Sequence, residues 1–427
     1  MLNSKKQCIA CGSAGLRNVL DLGVQAPANN LLNNQDDKDY LVFPLGIDAC
    51  NDCGHGQLSH FVDPGYLFSN YYYVSSTSKT MKDHMDKLAN FVLNLKGKDA
   101  SVLELGSNDG LFLKCLNEVG IDNVLGVDPA ENIVNEANEQ GLKTILGFWP
   151  EAGDDLESFS YDMVIGQNVF AHTPDPLSAL KEVKRVLKQD GYAIFQTSQA
   201  DMVYNGEFDT TYHEHCSFFC EESMAALAKR AGLQLAYTHY VDIHGGSSLY
   251  ILTQDYSDAD KMSIELSAIS AGLAEVEPAN DIAGMLRASR TPEDWDNFFR
   301  LSILKSAFAL TTSEQWKSEG HRVIAVGAAA KAITFLRSAD IQLDGLLDEA
   351  PLKVGKWVPG LDTQITDFSN LEQNDAYIIG AWNFAKEIAM KLVKNGANPD
   401  APCMIYFPDG VITNLGYLAV NGAKFDE

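Results

Sequence analysis

At 427 residues, 46% hydrophobic and 21% charged, the chain exceeds one ordinary hydrophobic core and has the composition of a globular protein of two or three domains. A formal charge of -26 with no basic stripe excludes a nucleic-acid-binding surface, while a few local cations and helix N-termini still suffice for a small anion. The N-terminal MLNSKKQCIACG lacks an apolar h-region and no window approaches about 18 uninterrupted apolar residues, so neither a signal peptide nor a membrane span is expected, and the cytoplasm is the expected compartment.

The first signals in chain order are CIACG and CNDCG, two C-x-x-C pairs each followed by glycine. Paired spacing of this kind brings Cys8, Cys11, Cys50 and Cys53 to one tetrahedral ion, and four thiolates leave no open position for chemistry, so structural zinc is expected. The alternative is a redox-active or simply buried set of thiols. A segment with so little core would gain its stability from the ion. From about Lys79 apolar runs alternate with amphipathic helices. SVLELGSNDG (Ser101 to Gly110) reads as a strand entering a glycine-rich turn, and NVLGVDP (Asn123 to Pro129) as a second strand tipped by an acid. A weaker third follows near Lys143 to Leu146, then YDMVIGQNVFAH (Tyr161 to His172) and GYAIFQTS (Gly191 to Ser198). The alternation predicts a parallel, doubly wound α/β sheet, closed by an antiparallel pair from LQLAYTHYVDI and SSLYILTQ. Ser257 to Lys317 reads as a helical connector. RVIAVGAAAKAITFLRSA then repeats the strand, small-residue turn and helix, and LDGLLDE, AYIIGAWN and CMIYFPDG supply further strands of a second α/β domain. The expected divisions are 1–75, 76–256, 257–317 and 318–427.

In ELGSNDG, Glu104 ends the first strand, Gly106 and Gly110 let a ligand approach the backbone, and Asp128 sits where an acid accepts hydrogen bonds from a ribose. The spacing resembles the first motif of class I S-adenosylmethionine-dependent methyltransferases rather than a nicotinamide fingerprint. Asn108 and Asp109 within the turn and Asn168 after the fourth strand complete the cofactor-binding candidates. That fourth-strand position reads QNVFAH, without the Pro-Pro of nucleic-acid amino-methyltransferases, and His172 lies near the expected methyl acceptor. A rim or helix-capping histidine is the competing reading of His172.

Both cysteine pairs, ELGSNDG, TYHEHCSFF (Thr211 to Phe219), HGGSS (His244 to Ser248), VGAAAK (Val326 to Lys331) and KVGKWVPG (Lys353 to Gly360), read in order, resemble the sugar C-methyltransferases. The resemblance implies a zinc-binding N-terminal domain, a class I methyltransferase domain with a Rossmann-like sheet, and a C-terminal Rossmann-like domain that helps hold a nucleotide-linked sugar. It implies methylation of a carbon beside the ketone of a nucleotide-linked 4-keto deoxysugar. It places the base at the end of Tyr-x-Glu-His, hence His215, with Glu214 supporting the site and Tyr212 on the sugar. A tyrosine of YYYVSSTS is implied as an enolate-side donor, Tyr73 with Tyr71 behind it. Independently, enolate chemistry needs a base matched to neutral pH and a hydrogen-bond donor for the developing oxyanion. Metal ligation and a structural polar cluster are the alternatives for TYHEHCSFF, although adjacent histidines flanking a glutamate lack the i, i+4 spacing of a helical zinc motif. Gly327 and Lys331 open a helix whose free N–H groups and ammonium suit a diphosphate, and His244 is a further substrate-binding candidate. An O- or N-methyltransferase of another metabolite, or a zinc-knuckle binding protein without catalysis, is the competing reading of the whole chain.

Overall fold

The computed structural model describes residues 2–37, 40–67, 79–273 and 282–422. Tyr71 and Tyr73 lie outside the described residues.

The central sheet follows the alternation in the sequence. Across it the strands run Gln234–Val241, Ser247–Thr253, Leu187–Thr197, Tyr161–Gln167, Val102–Leu105, Val124–Asp128 and Thr144–Leu146. Five pair in parallel, and Ser247–Thr253 joins Leu187–Thr197 and Gln234–Val241 antiparallel, as the late apolar runs predict. Every residue of Val102–Leu105 is buried because helices cover both faces, which is why this strand reads as a continuous rather than an alternating run. The order in which strands are added reverses between the parallel neighbours Val102–Leu105 and Tyr161–Gln167. Ligands of doubly wound sheets bind outside the strand carboxyl ends at such a point.

The C-terminal sheet is ordered Trp357–Val358, Thr363–Thr366, Gly345–Leu347, Arg322–Val326, Asp375–Ile379, Pro402–Ile405 and Val411–Asn414, with the outermost strand on each edge antiparallel. Its switch point falls between Arg322–Val326 and Asp375–Ile379.

The N-terminal sheet contains an unexpected member. Leu16–Gln25, Phe43–Cys50 and Gly56–Leu58 form an antiparallel set, and the fourth strand, Ser217–Phe218, comes from within TYHEHCSFF. The division at residue 75 is therefore crossed by a strand of the central segment. The apolar face of this small sheet has no core of its own: Leu20, Ile47 and Leu58 share one cluster with Val326, Phe335 and Ile378 of the C-terminal domain. The connector is a strut between the two. Its long helix, Pro292–Ser318, begins with a reciprocal cap in which Asp294 accepts from Thr291 N at 2.7 Å. Near its start Trp295 is 1% exposed against the N-terminal sheet and donates Nε1–H to Gly54 O at 3.2 Å, while Ala309 and Trp316 further along join the shared cluster.

Candidate active site

One cavity of about 1340 Å³ connects the three parts of the chain. It is lined by Glu104 and Asp128 of the central sheet, by His172, Tyr212 and His215, and by Lys331 of the C-terminal domain. Asn168, Asn108, Gly106, Glu214 and His244 also reach its wall. Gly110, Asp109 and Gly327 do not form the wall, and the four cysteines lie elsewhere.

The two sheet ends that face this cavity are built alike. On the central side Gly106, at φ 64°, donates its N–H to Val127 O at 2.7 Å, and the Asp128 carboxylate accepts Asn108 N–H and Ala130 N–H, each at 2.9 Å. On the C-terminal side Gly327, at φ 93°, donates to Leu347 O at 2.7 Å, and Asp348 accepts Ala328 N–H and Ala350 N–H, each at 2.8 Å. The N–H of Gly327 is thus committed within the protein and is not offered to a ligand, contrary to the expectation for the start of this turn. Lys331 does face the cavity, its Nζ 5.2 Å from the Trp382 ring centroid, and Lys353 joins it there, donating to Ala328 O at 2.9 Å.

The central end has the features of a site for a hydrogen-bond-donating ligand. Burial, with Asp128 and Asp109 nearby, raises the Glu104 carboxyl well above the usual range. Glu104 Oε1 accepts from Gln167 Nε2 at 3.4 Å, while Glu104 Oε2, Gln167 Oε1 and Asn168 Oδ1 are buried without a partner among the described residues. Leaving such acceptors unmatched is costly, and ribose hydroxyls or an amino group would satisfy them. A Cβ on Gly106 would lie 2.2 Å from Val169 Cγ2, so only glycine keeps this turn. The residues therefore fit S-adenosylmethionine.

Between the two ends sits the Tyr-His-Glu-His segment. His215 Nδ1 lies 2.8 Å from Thr210 O and its Nε2 lies 2.7 Å from Tyr212 Oη. A carbonyl only accepts, so Nδ1 carries the proton, and the unprotonated Nε2 accepts from the Tyr212 hydroxyl. His172 is held the same way, Nδ1–H to Glu214 O at 2.7 Å, and its ring stands 4.9 Å from that of His215. Burial drives both imidazoles toward the neutral form, His172 down to about 4 and His215 well below its usual value, the latter helped by His172 and Lys331. Burial, then Lys331, lowers His244 to about 4. Glu214 moves the opposite way, up to about 7 through burial, with Asn29 restraining the rise by donating Nδ2–H to Oε1 at 2.7 Å. His213 points away: its Nε2 is 3.2 Å from Phe43 O, which makes it a tie to the N-terminal sheet.

The sequence reading missed Asn29, Asp348 and Lys353. Asp348 had a usable signal, since it tips its strand just as Asp128 does. Asn29 had none, because APANN reads as an ordinary turn.

The thiols of Cys8, Cys11, Cys50 and Cys53 lie with all four sulfurs within 4.8 Å of one another. The Cys8–Cys53 and Cys11–Cys50 sulfurs are 3.7 and 3.6 Å apart. A zinc ion bound tetrahedrally at ~2.3 Å per thiolate sets sulfurs ~3.8 Å apart, so the donor set fits.

Three family descriptions cover the chain in sequence: "Putative zinc binding domain" at residues 8–68, "Methyltransferase domain" at 78–238 and "C-methyltransferase C-terminal domain" at 242–400. The C-methyltransferase NovU of Streptomyces niveus is 30% identical over 399 residues, covering 90% of this chain and 91% of that protein. A ubiquinone biosynthesis O-methyltransferase of Neisseria meningitidis serogroup C is 24% identical over 188 residues, 40% of this chain and 76% of its own length. Among solved structures, a SAM-dependent methyltransferase from Thermotoga maritima is 19% identical, covers 41% of this chain and 92% of its own, and has a TM-score of 0.33. With matches running from residue 8 to residue 400 and with its similarity to NovU along most of both chains, the chain belongs to the S-adenosylmethionine-dependent C-methyltransferases of three-part architecture.

Proposed function

We propose that the protein methylates a carbon beside the ketone of a nucleotide-linked 4-keto deoxysugar. The observation that carries this reading is the placement of a neutral, pre-oriented imidazole between two nucleotide-type sheet ends in one cavity. Glu104, Asn168 and Asp128 would hold S-adenosylmethionine, with Gly106 and Gly110 shaping the turn, and that cofactor supplies an electrophilic methyl group. Lys331 and Lys353 would bind the diphosphate, Asp348 the adjoining ribose, and His244 the sugar end. Two local cations on a wall of this kind reconcile an anionic substrate with a chain of charge -26.

His215 Nε2 takes the proton from the carbon next to the ketone, and the electron pair of that C–H bond becomes the enolate. The Tyr212 hydroxyl, which occupies Nε2 in the free protein, turns to the sugar when the substrate enters. The imidazolium so formed is stabilised by the new enolate, an opposite charge in a desolvated site, which offsets the low intrinsic proton affinity of this histidine. Glu214 steadies the segment through Asn29, which donates to its carboxyl group, and through its main-chain carbonyl, which holds His172. Tyr73 stays the expected enolate-side donor.

Incubation with labelled methyl donor and a panel of nucleotide-linked 4-keto sugars, followed by NMR of the product, should reveal a new carbon–carbon bond. In D₂O the wild-type protein should exchange the substrate's α-proton, and His215→Asn should lose exchange and turnover by about 10²- to 10⁴-fold while binding S-adenosylmethionine within twofold of wild type. Methylation at oxygen or nitrogen, or exchange retained without His215, would overturn the assignment.

A further inference from the structure

The N-terminal segment reaches the cavity at two places, Asp63 to Gly65 and the turn that carries Asn29. Ala26 to Asn30 leaves the first sheet and is tied to the C-terminal domain on both sides. Arg337 donates to Ala26 O at 2.8 Å and Gln25 donates to Ser338 Oγ at 3.0 Å. Leu32 and Trp357 then exchange a pair of backbone hydrogen bonds, at 2.9 and 2.8 Å. Within the turn Asn30 N–H bonds Pro27 O at 3.0 Å, so the backbone that carries Asn29 is fixed. Asn29 lines the cavity, and its Nδ2 lies 2.7 Å from Glu214 Oε1. Glu214 is only 4% exposed, and its main-chain carbonyl is simultaneously the anchor for His172.

We propose that Asn29 is a positioning residue for the methyl-transfer site, its amide orienting the Glu214 carboxyl group and thereby the backbone that holds both His172 and His215. This inference rests on the carbon-methylation reading above. All three parts of the chain meet at this hydrogen bond: the turn belongs to the N-terminal segment, its clamps to the C-terminal domain, and its target to the central one. A substrate held by the C-terminal domain is thus referenced to the same frame that fixes the base. Among the described residues, Asn29 Nδ2–H is the side-chain donor bonded to the Glu214 carboxyl group, the Cys216 thiol lies within electrostatic reach of it, and His172 bonds only the main-chain carbonyl of Glu214. The amide is therefore the polar group that favours the ionised carboxylate against the effect of burial.

The sign of the effect follows. An N–H donor stabilises the carboxylate, so removing it moves the Glu214 titration to higher pH. Asn29→Ala and the near-isosteric Asn29→Asp should each lower kcat about 10- to 100-fold, leave KM and S-adenosylmethionine affinity within threefold, and shift the pH profile of kcat upward. Asn29→Asp should shift it further, because a second carboxylate faces the first. Carbon-13 NMR of the carboxyl groups, with Glu214→Gln as the assignment control, reads the same shift without substrate. A kcat within twofold of wild type, or an unmoved Glu214 titration in properly folded variants, would overturn the role of Asn29. If the wild-type protein methylates no keto sugar of the panel, the substrate reading fails, and the NMR titration alone still decides the positioning role.

Discussion

At the residue scale, adjacent histidines in one motif do unlike things. His215 and its neighbour His172 each donate Nδ1–H to a main-chain carbonyl, whereas His213 donates from Nε2 to Phe43 O. Sequence gives these imidazoles similar surroundings, and only the placed carbonyls select the tautomer. Long-range ¹H–¹⁵N correlation at pH 6 should therefore show neutral Nδ1–H rings for His215 and His172 and a neutral Nε2–H ring for His213. Each of the three is held below its usual value by burial, so all remain neutral at that pH. An imidazolium at residue 215, or the Nε2–H form there, would remove the lone pair on which proton abstraction depends.

At the scale of elements, the glycine-rich turn and the Ser217–Phe218 strand define the two sides of the central machinery. Gly106 combines a positive φ with contact against Val169, so Gly106→Ala meets both backbone strain and overlap. It should destabilise the protein by about 1–3 kcal/mol and weaken S-adenosylmethionine binding, measured by denaturant titration and calorimetry respectively. Unchanged values would mean that the turn relaxes freely. The short strand matters through what it joins. Leu58 N–H bonds Cys216 O at 3.1 Å, Cys220 Sγ contacts Cys53 O at 3.4 Å, and the buried Arg290 of the connector donates to Phe218 O at 3.0 Å. The Tyr-His-Glu-His segment is thereby stitched to the second cysteine turn. A C-x-x-C pair announces its metal chemistry in the sequence, but not which distant strand leans on it.

On the scale of the whole molecule, this stitching gives the cysteine cluster a consequence beyond local stability. If the four thiolates hold one zinc ion per chain, as their spacing permits, a strong chelator or Cys50→Ser should remove it and reduce the melting temperature. Hydrogen exchange should rise in both the N-terminal sheet and residues 210–220, while calorimetric binding of S-adenosylmethionine persists. Retained protection of residues 210–220 in metal-free protein would show that the two are independent. The shared core points the same way, since Ile47 and Leu58 pack in one cluster with Ile378 rather than in a domain of their own.

The sequence by itself determined the strands of the central sheet, the four thiolates, and the Glu104, Gly106 and Asp128 turn. It also determined the four central strands of the C-terminal sheet, but not its outer strands Trp357–Val358, Thr363–Thr366 and Val411–Asn414. Each of these depends on local periodicity, turn geometry or short spacing, which a few neighbouring residues encode. Tertiary structure alone decided that Asn29 meets Glu214 across 185 positions, that Ser217–Phe218 completes the N-terminal sheet, and that Gly327 keeps its N–H for Leu347 while Lys353 joins Lys331 on the cavity wall. The physical reason is that hydrogen-bond partners and burial are properties of a place in space. An asparagine in a proline-containing turn carries no local mark of the buried carboxyl group it will meet when three parts of the chain close on one cavity.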